Sequence, residues 1–144
     1  MKRLLLICLM LFLVCLTGGC GAPKMVDNSV PEKVAYEVID EAGRKLTFTE
    51  KPQRIASLTY GTDEILTDLV GTKRIVGYSR WAGDPEITFI TKEQARKVGR
   101  KLEENTEAVL AVKPDLVVAT TASNNEIIHS LEALGLKVYL AGRP

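Results

Sequence analysis

Residues 105–140 read NTEAVLAVKPDLVVATTASNNEIIHSLEALGLKVYL, and this stretch decides the fold. Asn105 can cap a helix from Thr106 to Val112 whose apolar residues are Val109, Leu110 and Val112, and Pro114 marks its end. Leu116-Val117-Val118-Ala119 follows as an apolar run without alternation, so it reads as a strand covered on both faces. Ser123-Asn124-Asn125-Glu126 predicts a capping box. The helix it opens carries Ile127, Ile128, Leu131 and Leu134 on one face and stops at Gly135. Lys137-Val138-Tyr139-Leu140 is the next strand.

The same alternation extends upstream. Ile55-Ala56-Ser57-Leu58 suits a buried strand. Thr62, Asp63 and Glu64 then start a helix in which Ile65, Leu66, Leu69 and Val70 recur at helical spacing, and Gly71 closes it. Ile75-Val76-Gly77-Tyr78 is a second strand, followed by an irregular stretch from Ser79 to Pro85 and a helix over Thr91 to Lys97. Further back, Tyr36-Glu37-Val38-Ile39-Asp40 and Lys45-Leu46-Thr47-Phe48 flank Glu41-Ala42-Gly43-Arg44, which predicts a β-hairpin. Strands alternating with helices, with apolar rather than alternating strands, predict the α/β class: a Rossmann-like, open, mostly parallel sheet flanked by helices and preceded by the hairpin. There is no internal repeat and no low-complexity tract.

The amino terminus is organised differently. After Lys2 and Arg3, residues Leu4 to Leu16 are unbroken apolar sequence, short of the roughly 20 residues a membrane-spanning helix needs. Thr17-Gly18-Gly19 follows, which completes the layout of an export signal. Leu16-Thr17-Gly18-Gly19-Cys20 resembles the bacterial lipobox, with Thr17 where that pattern most often has Leu, and the resemblance makes Cys20 the lipidation site. The expected organisation is a leader at 1–19, a lipid-anchored tether at 20–33 containing Pro23 and Pro31, and one lobe at 34–144. Loss of the leader changes the formal charge from +1 to −1, so no basic excess points to nucleic acid. The other two cysteines, Cys8 and Cys15, lie in the leader, and the folded part therefore has no disulfide, no Cys-ligated zinc and no Cys nucleophile.

Most catalytic arrangements fail on inventory. His129 is the only histidine, which excludes a multi-histidine metal site, and its position beside Ile127-Ile128 reads as a solvated helix face. Neither GxGxxG nor GxxxxGK[ST] occurs, and the turn Thr59-Tyr60-Gly61-Thr62 holds a single glycine. In open parallel sheets ligands sit at the carboxyl ends of the strands. That rule selects Thr59-Tyr60, Ser79-Arg80-Trp81 and Thr120-Thr121-Ala122-Ser123. Tyr60 and Trp81 are expected in loops, and Arg80, Arg100 and Lys101 add positive charge to the same rim.

Several segments together resemble a family. These are Lys51-Pro52-Gln53-Arg54-Ile55-Ala56-Ser57-Leu58, Thr62 to Leu66, Arg74-Ile75-Val76-Gly77-Tyr78-Ser79, Val98-Gly99, and above all Asn105 to Val118. They look like the amino-terminal lobe of the periplasmic binding proteins for iron–siderophore, haem and cobalamin, from about Tyr36 onward. The resemblance implies a non-enzymatic substrate-binding component of an ABC importer, held by lipidated Cys20 on the extracytoplasmic face of a membrane, either the outer surface of a Gram-positive type cell or the periplasm. It would hand a metal chelate (ferric siderophore, haem) or cobalamin to a permease and its ATPase. No cofactor and no metal ligand from the protein are implied, because the chelator holds the iron. Tyr60, Tyr78, Arg80, Trp81, Arg100 and Lys101 fall where relatives line the cleft, and Glu107 matches an acid that docks on a permease arginine. Relatives have a second lobe after a long linking helix that would begin near Pro144, so the expectation is a single lobe whose counterpart is absent or comes from another chain. Two readings stand beside this one: a nonfunctional or fragmentary lobe, and a nucleotide-using surface enzyme, which the missing glycine motif disfavours.

Overall fold

A computed structural model describes residues 35–142; the leader, Cys20 and the tether lie outside the described residues. Strands β1 (Tyr36–Ile39) and β2 (Lys45–Phe48) form the antiparallel hairpin. The elements that follow are β3 (Ile55–Ser57), α1 (Tyr60–Val70), β4 (Ile75–Ser79), α2 (Lys92–Val98), β5 (Lys101–Leu102), α3 (Thr106–Ala111), β6 (Leu116–Thr120), α4 (Asn125–Ala133) and β7 (Val138–Ala141). The five later strands form one parallel sheet in the order β5-β4-β3-β6-β7.

This order separates the helices. From β3 the chain steps outward through β4 to β5, then returns past β3 to β6 and β7. Crossovers of a single hand therefore put the later helices on the opposite face. The core divides accordingly. Val109 and Val112 of α3 and its cap, with Ile128 and Leu131 of α4, pack on Ala56, Val117, Ala119, Val138 and Leu140. Leu66 of α1 packs with Ile55, Ile75, Tyr78 and Val118, and Ala95 and Val98 of α2 close that layer. Val117 and Val118 thus face opposite layers, as the pleat of a strand buried on both sides requires.

Local chemistry explains most boundaries. Thr59 caps α1, with Thr59 and Thr62 exchanging reciprocal hydrogen bonds, and Thr91 with Gln94 does the same for α2. The helix expected from Thr62 therefore begins earlier, at Tyr60, and Tyr60 is helical rather than in a loop. The capping box expected at Ser123–Glu126 does not form. Ser123 Oγ instead accepts from the Thr120 amide, closing the turn after β6, and Asn124 caps α4 by accepting from Glu126 N at 2.9 Å. Lys113, with φ +48, stops α3 ahead of Pro114. Asp115 then accepts from the amides of Gln53 and Arg54, and the Arg54 side chain donates to the carbonyls of Val112 and Lys113. The Lys113-Pro114-Asp115 turn is thereby clamped to the start of β3. Gly77 is needed where β4 meets β5, because a Cβ there would lie 2.7 Å from the Leu102 side chain.

The hairpin is fastened to the sheet edge. The Asp40 carboxylate, fully buried, accepts from the amides of Ala42, Arg44 and Leu140 and from the Arg44 guanidinium. Arg44 also donates to Glu132 and to the Val138 carbonyl, and Glu41 N donates to Leu140 O. The turn thus occupies part of the outer edge of β7, which an open sheet would otherwise leave free to pair with another chain. The helical faces are narrower than their periodicity suggests: Ile65, Leu69 and Leu134, expected inside, are 57%, 74% and 58% exposed.

Candidate functional site

All carboxyl ends of the parallel strands open on one rim. The strand order reverses at β3, and the loops after β3 and β6 leave toward opposite faces, which creates a crevice between them. That crevice is a hollow of about 520 Å³ lined by Thr59, Tyr60, Gly61, Glu104, Thr120 and Ser123. Next along the rim, beyond the ends of β4 and β5, a wider hollow of about 780 Å³ is lined by Arg80, Trp81, Asp84, Lys92, Lys101 and Glu103.

The turn after β4 is built to present two side chains. Ser79 O accepts from Ala82 N, closing a turn with Arg80 and Trp81 at its centre. The Arg80 guanidinium stacks 4.5 Å over the Trp81 ring and lies 3.6 Å from the Glu103 carboxylate. Such stacking contributes about 0.5–1 kcal/mol at an exposed site, enough to bias the orientation of the pair. Trp81 stays 38% exposed, so its ring remains available for contact. The following loop is pinned by Glu64, whose carboxylate accepts from Thr88 Oγ1 and Phe89 N.

Of the side chains named from sequence, Tyr60 lines the first hollow, and Arg80, Trp81 and Lys101 line the second. Arg100 is exposed but lines neither hollow; its carbonyl accepts from Tyr78 N. Tyr78 does not belong to the rim. It is fully buried, with its hydroxyl 2.6 Å from Thr67 Oγ1, because β4 turns that side chain into the layer under α1. Burial pushes its phenol pKa up. Glu107 stands exposed in the first turn of α3 and forms no ion pair among the described residues. His129 is largely exposed, 3.5 Å from Glu132. No group of three or more His, Cys, Asp or Glu side chains is placed to hold a metal among the described residues, and no described helix is long and apolar enough to cross a membrane.

Sequence reasoning missed Lys92, Asp84 and Glu103 as rim residues, since nothing in their local pattern brings them together. It also missed Asp63. Read as a first-turn acid, Asp63 is fully buried, accepting from Ser79 N at 3.1 Å and from Ser79 Oγ at 2.6 Å. Desolvation raises its pKa from 3.8 to about 6, and the hydrogen bonds from Ser57 and Ser79 only partly offset this. A signal was present in the spacing: Asp63 shares a helix face with Leu66 and Val70.

This geometry defines a class, an α/β lobe with two hollows at its strand ends, and the comparisons place it in a family. The family model described as "Periplasmic binding protein" matches residues 55–142, and the chain belongs to that family. It is 25% identical over 96% of its length to the "Probable siderophore-binding lipoprotein YfiY" of Bacillus subtilis (strain 168), covering 43% of that protein. It is 29% identical over 97% of its length to YhfQ of the same organism, provisionally named an ABC transporter substrate-binding lipoprotein, again covering 43%. Among solved structures it resembles a protein of Staphylococcus epidermidis ATCC 12228 described as a possible iron-binding, periplasmic solute-binding protein. The match has 27% identity and a TM-score of 0.54, over 66% of this chain and 36% of that one. Cobalamin-binding and haem-binding proteins are also among the relatives. The relatives are named for binding rather than for catalysis, and the chain spans less than half the length of the curated relatives it matches.

Proposed function

We propose that this chain is the first lobe of the substrate-binding component of an ABC importer for an iron chelate, a siderophore or haem, or for cobalamin. Lipidated Cys20 tethers it to the extracytoplasmic face of the membrane, and it delivers ligand to a permease and its ATPase. The carrying observation is that Arg80, Trp81 and Lys101 line one hollow and Tyr60 the next along the strand-end rim of a lobe of this family. Two exposed aromatic rings beside several cations suit a large, partly apolar, anionic chelate. Of the six side chains expected to touch ligand, four are retained in that role; Tyr78 is core and Arg100 stands apart.

The test uses the single tryptophan. Titrating the protein expressed from its own gene with ferric siderophores, haem and cobalamin should quench Trp81 emission saturably for at least one of them, and absence of quenching by all three sinks the reading. Docking is separable from capture: Glu107→Gln should leave the ligand affinity unchanged and lower cellular uptake of the labelled chelate about tenfold or more, whereas Cys20→Ser should release the protein from the membrane fraction. Uptake unchanged in Glu107→Gln would remove Glu107 from the permease contact.

A further inference from the structure

The rim turn is held from below by one carboxyl. Asp63 lies in the first turn of α1, behind the rim rather than on it, and has no exposed surface. Both of its oxygens are taken by Ser79, the last residue of β4, through the amide at 3.1 Å and the hydroxyl at 2.6 Å. Ser79 is itself fully buried, and its carbonyl closes the turn that carries Arg80 and Trp81. On the other side, Ser57 at the end of β3 and Thr62 share a hydrogen bond of 2.7 Å, and Thr62 bonds Thr59, the cap beside Tyr60. Two buried polar clusters thus lie behind the two hollows, Asp63 with Ser79 behind one and Ser57 with Thr62 and Thr59 behind the other, and Asp63 is the one ionisable carboxyl among them.

We propose that Asp63 is the positioning residue of the ligand rim: acting through Ser79, its charge sets how Arg80 and Trp81 are presented. The proposal rests on the ligand-binding reading for its purpose, but not for its test. A carboxylate accepts both Ser79 bonds; the neutral acid carries a proton of its own and must turn one oxygen into a donor, so the Ser79 hydroxyl has to reorient. Burial places this exchange close to neutral pH, at about 6. Few other charges face it. Glu64 on α1 opposes ionisation, β3 contributes only the hydroxyl of Ser57, and β4 contributes Ser79 and the phenol of Tyr78. Around Trp81 itself the charged neighbours are Arg80, Asp84, Lys92, Lys101 and Glu103.

The experiment follows Trp81 emission from about pH 5 to about pH 8 in the protein without ligand, in a His129→Gln background that removes the single histidine. The parent should show a one-proton transition with its midpoint near 6. Asp63→Asn should abolish it, and Ser79→Ala, which removes only the hydroxyl link, should reduce its amplitude while circular dichroism reports an intact fold. A flat parent profile, a transition that survives Asp63→Asn, or an amplitude untouched by Ser79→Ala overturns the proposal. Should Asp63→Asn fail to fold, Ser79→Ala decides alone. A second arm measures the affinity for a ferric siderophore on either side of the midpoint, which should differ about tenfold in the parent and not in Asp63→Asn. If no chelate binds at any pH, the ligand reading fails, and the emission arm still decides the positioning role.

Discussion

Asp40→Ala should destabilise the domain by about 1–3 kcal/mol at neutral pH, seen as a lower urea midpoint with an unchanged slope. The substitution deletes a buried acceptor while leaving its donors in place. The amides of Ala42, Arg44 and Leu140 lose their partner, and the Arg44 guanidinium, with a side chain 30% exposed, keeps only Glu132 and the Val138 carbonyl. The Leu140 amide is left buried without its side-chain acceptor and carries the desolvation penalty, which is why the loss exceeds the net contribution of an ordinary hydrogen bond; the Ala42 and Arg44 amides are only part-buried and lose less. Asp40→Asn should lose less, because one acceptor oxygen remains. The pH dependence has a definite sign. Burial alone would raise the Asp40 pKa, but the guanidinium and amide bonds from Arg44, with that from Leu140, outweigh it and hold the group below 3.8. The stabilisation is therefore complete above the unfolded value and fades as pH falls through the folded one. A loss under about 1 kcal/mol would show that the hairpin turn does not fasten the edge of β7.

Asp63→Asn should have the opposite signature. The folded state holds the Asp63 proton more tightly than the unfolded chain does, about 6 against 3.8, so the stability attached to this group is complete below 3.8 and lost as pH rises to about 6. A proton held that much more tightly is equivalent to about 3 kcal/mol of folding free energy. Unfolding free energies of the parent should fall by up to that amount between pH 4 and pH 7 once other groups are referenced out, and the Asn variant should lack that slope. A variant whose pH–stability profile superimposes on the parent would mean that Asp63 is not desolvated in the native state. Together the two carboxyls predict a stability maximum on the acid side of neutrality, with Asp40 governing the acid limb and Asp63 the limb toward neutrality.

Much of the fold was readable because the lobe is regular. A run such as Leu116-Val117-Val118-Ala119 has no polar face to expose, and Asn105 and Gly71 punctuate helices by local chemistry alone. β5 was not readable, since two residues carry no period; it exists because Leu102 fits against Gly77. Ile65 and Leu69 followed the helical rhythm, yet α1 turns them away from the apolar layer that Leu66 enters. The capping box at Ser123 failed for a similar reason: the hydroxyl had two potential partners, and the turn after β6 took it.

The site divides along the same line. Alternating strands and helices with continuous apolar strands determine a parallel sheet, and a parallel sheet determines that its carboxyl ends gather on one rim; the placement of Tyr60, Arg80 and Trp81 there follows from sequence order, whereas Lys101 reaches it only because β5 forms. Which side chains at those ends face outward was decided by tertiary structure. Tyr78 lies two residues before Arg80, but the pleat of β4 sends it inward to Thr67. Asp63 reads as an ordinary first-turn acid until α1 is laid across β4 and its carboxyl is closed off against Ser79. Local sequence specifies which elements form, because capping and periodicity act within a few residues; burial and its effect on charge depend on neighbours that only the packed sheet brings together.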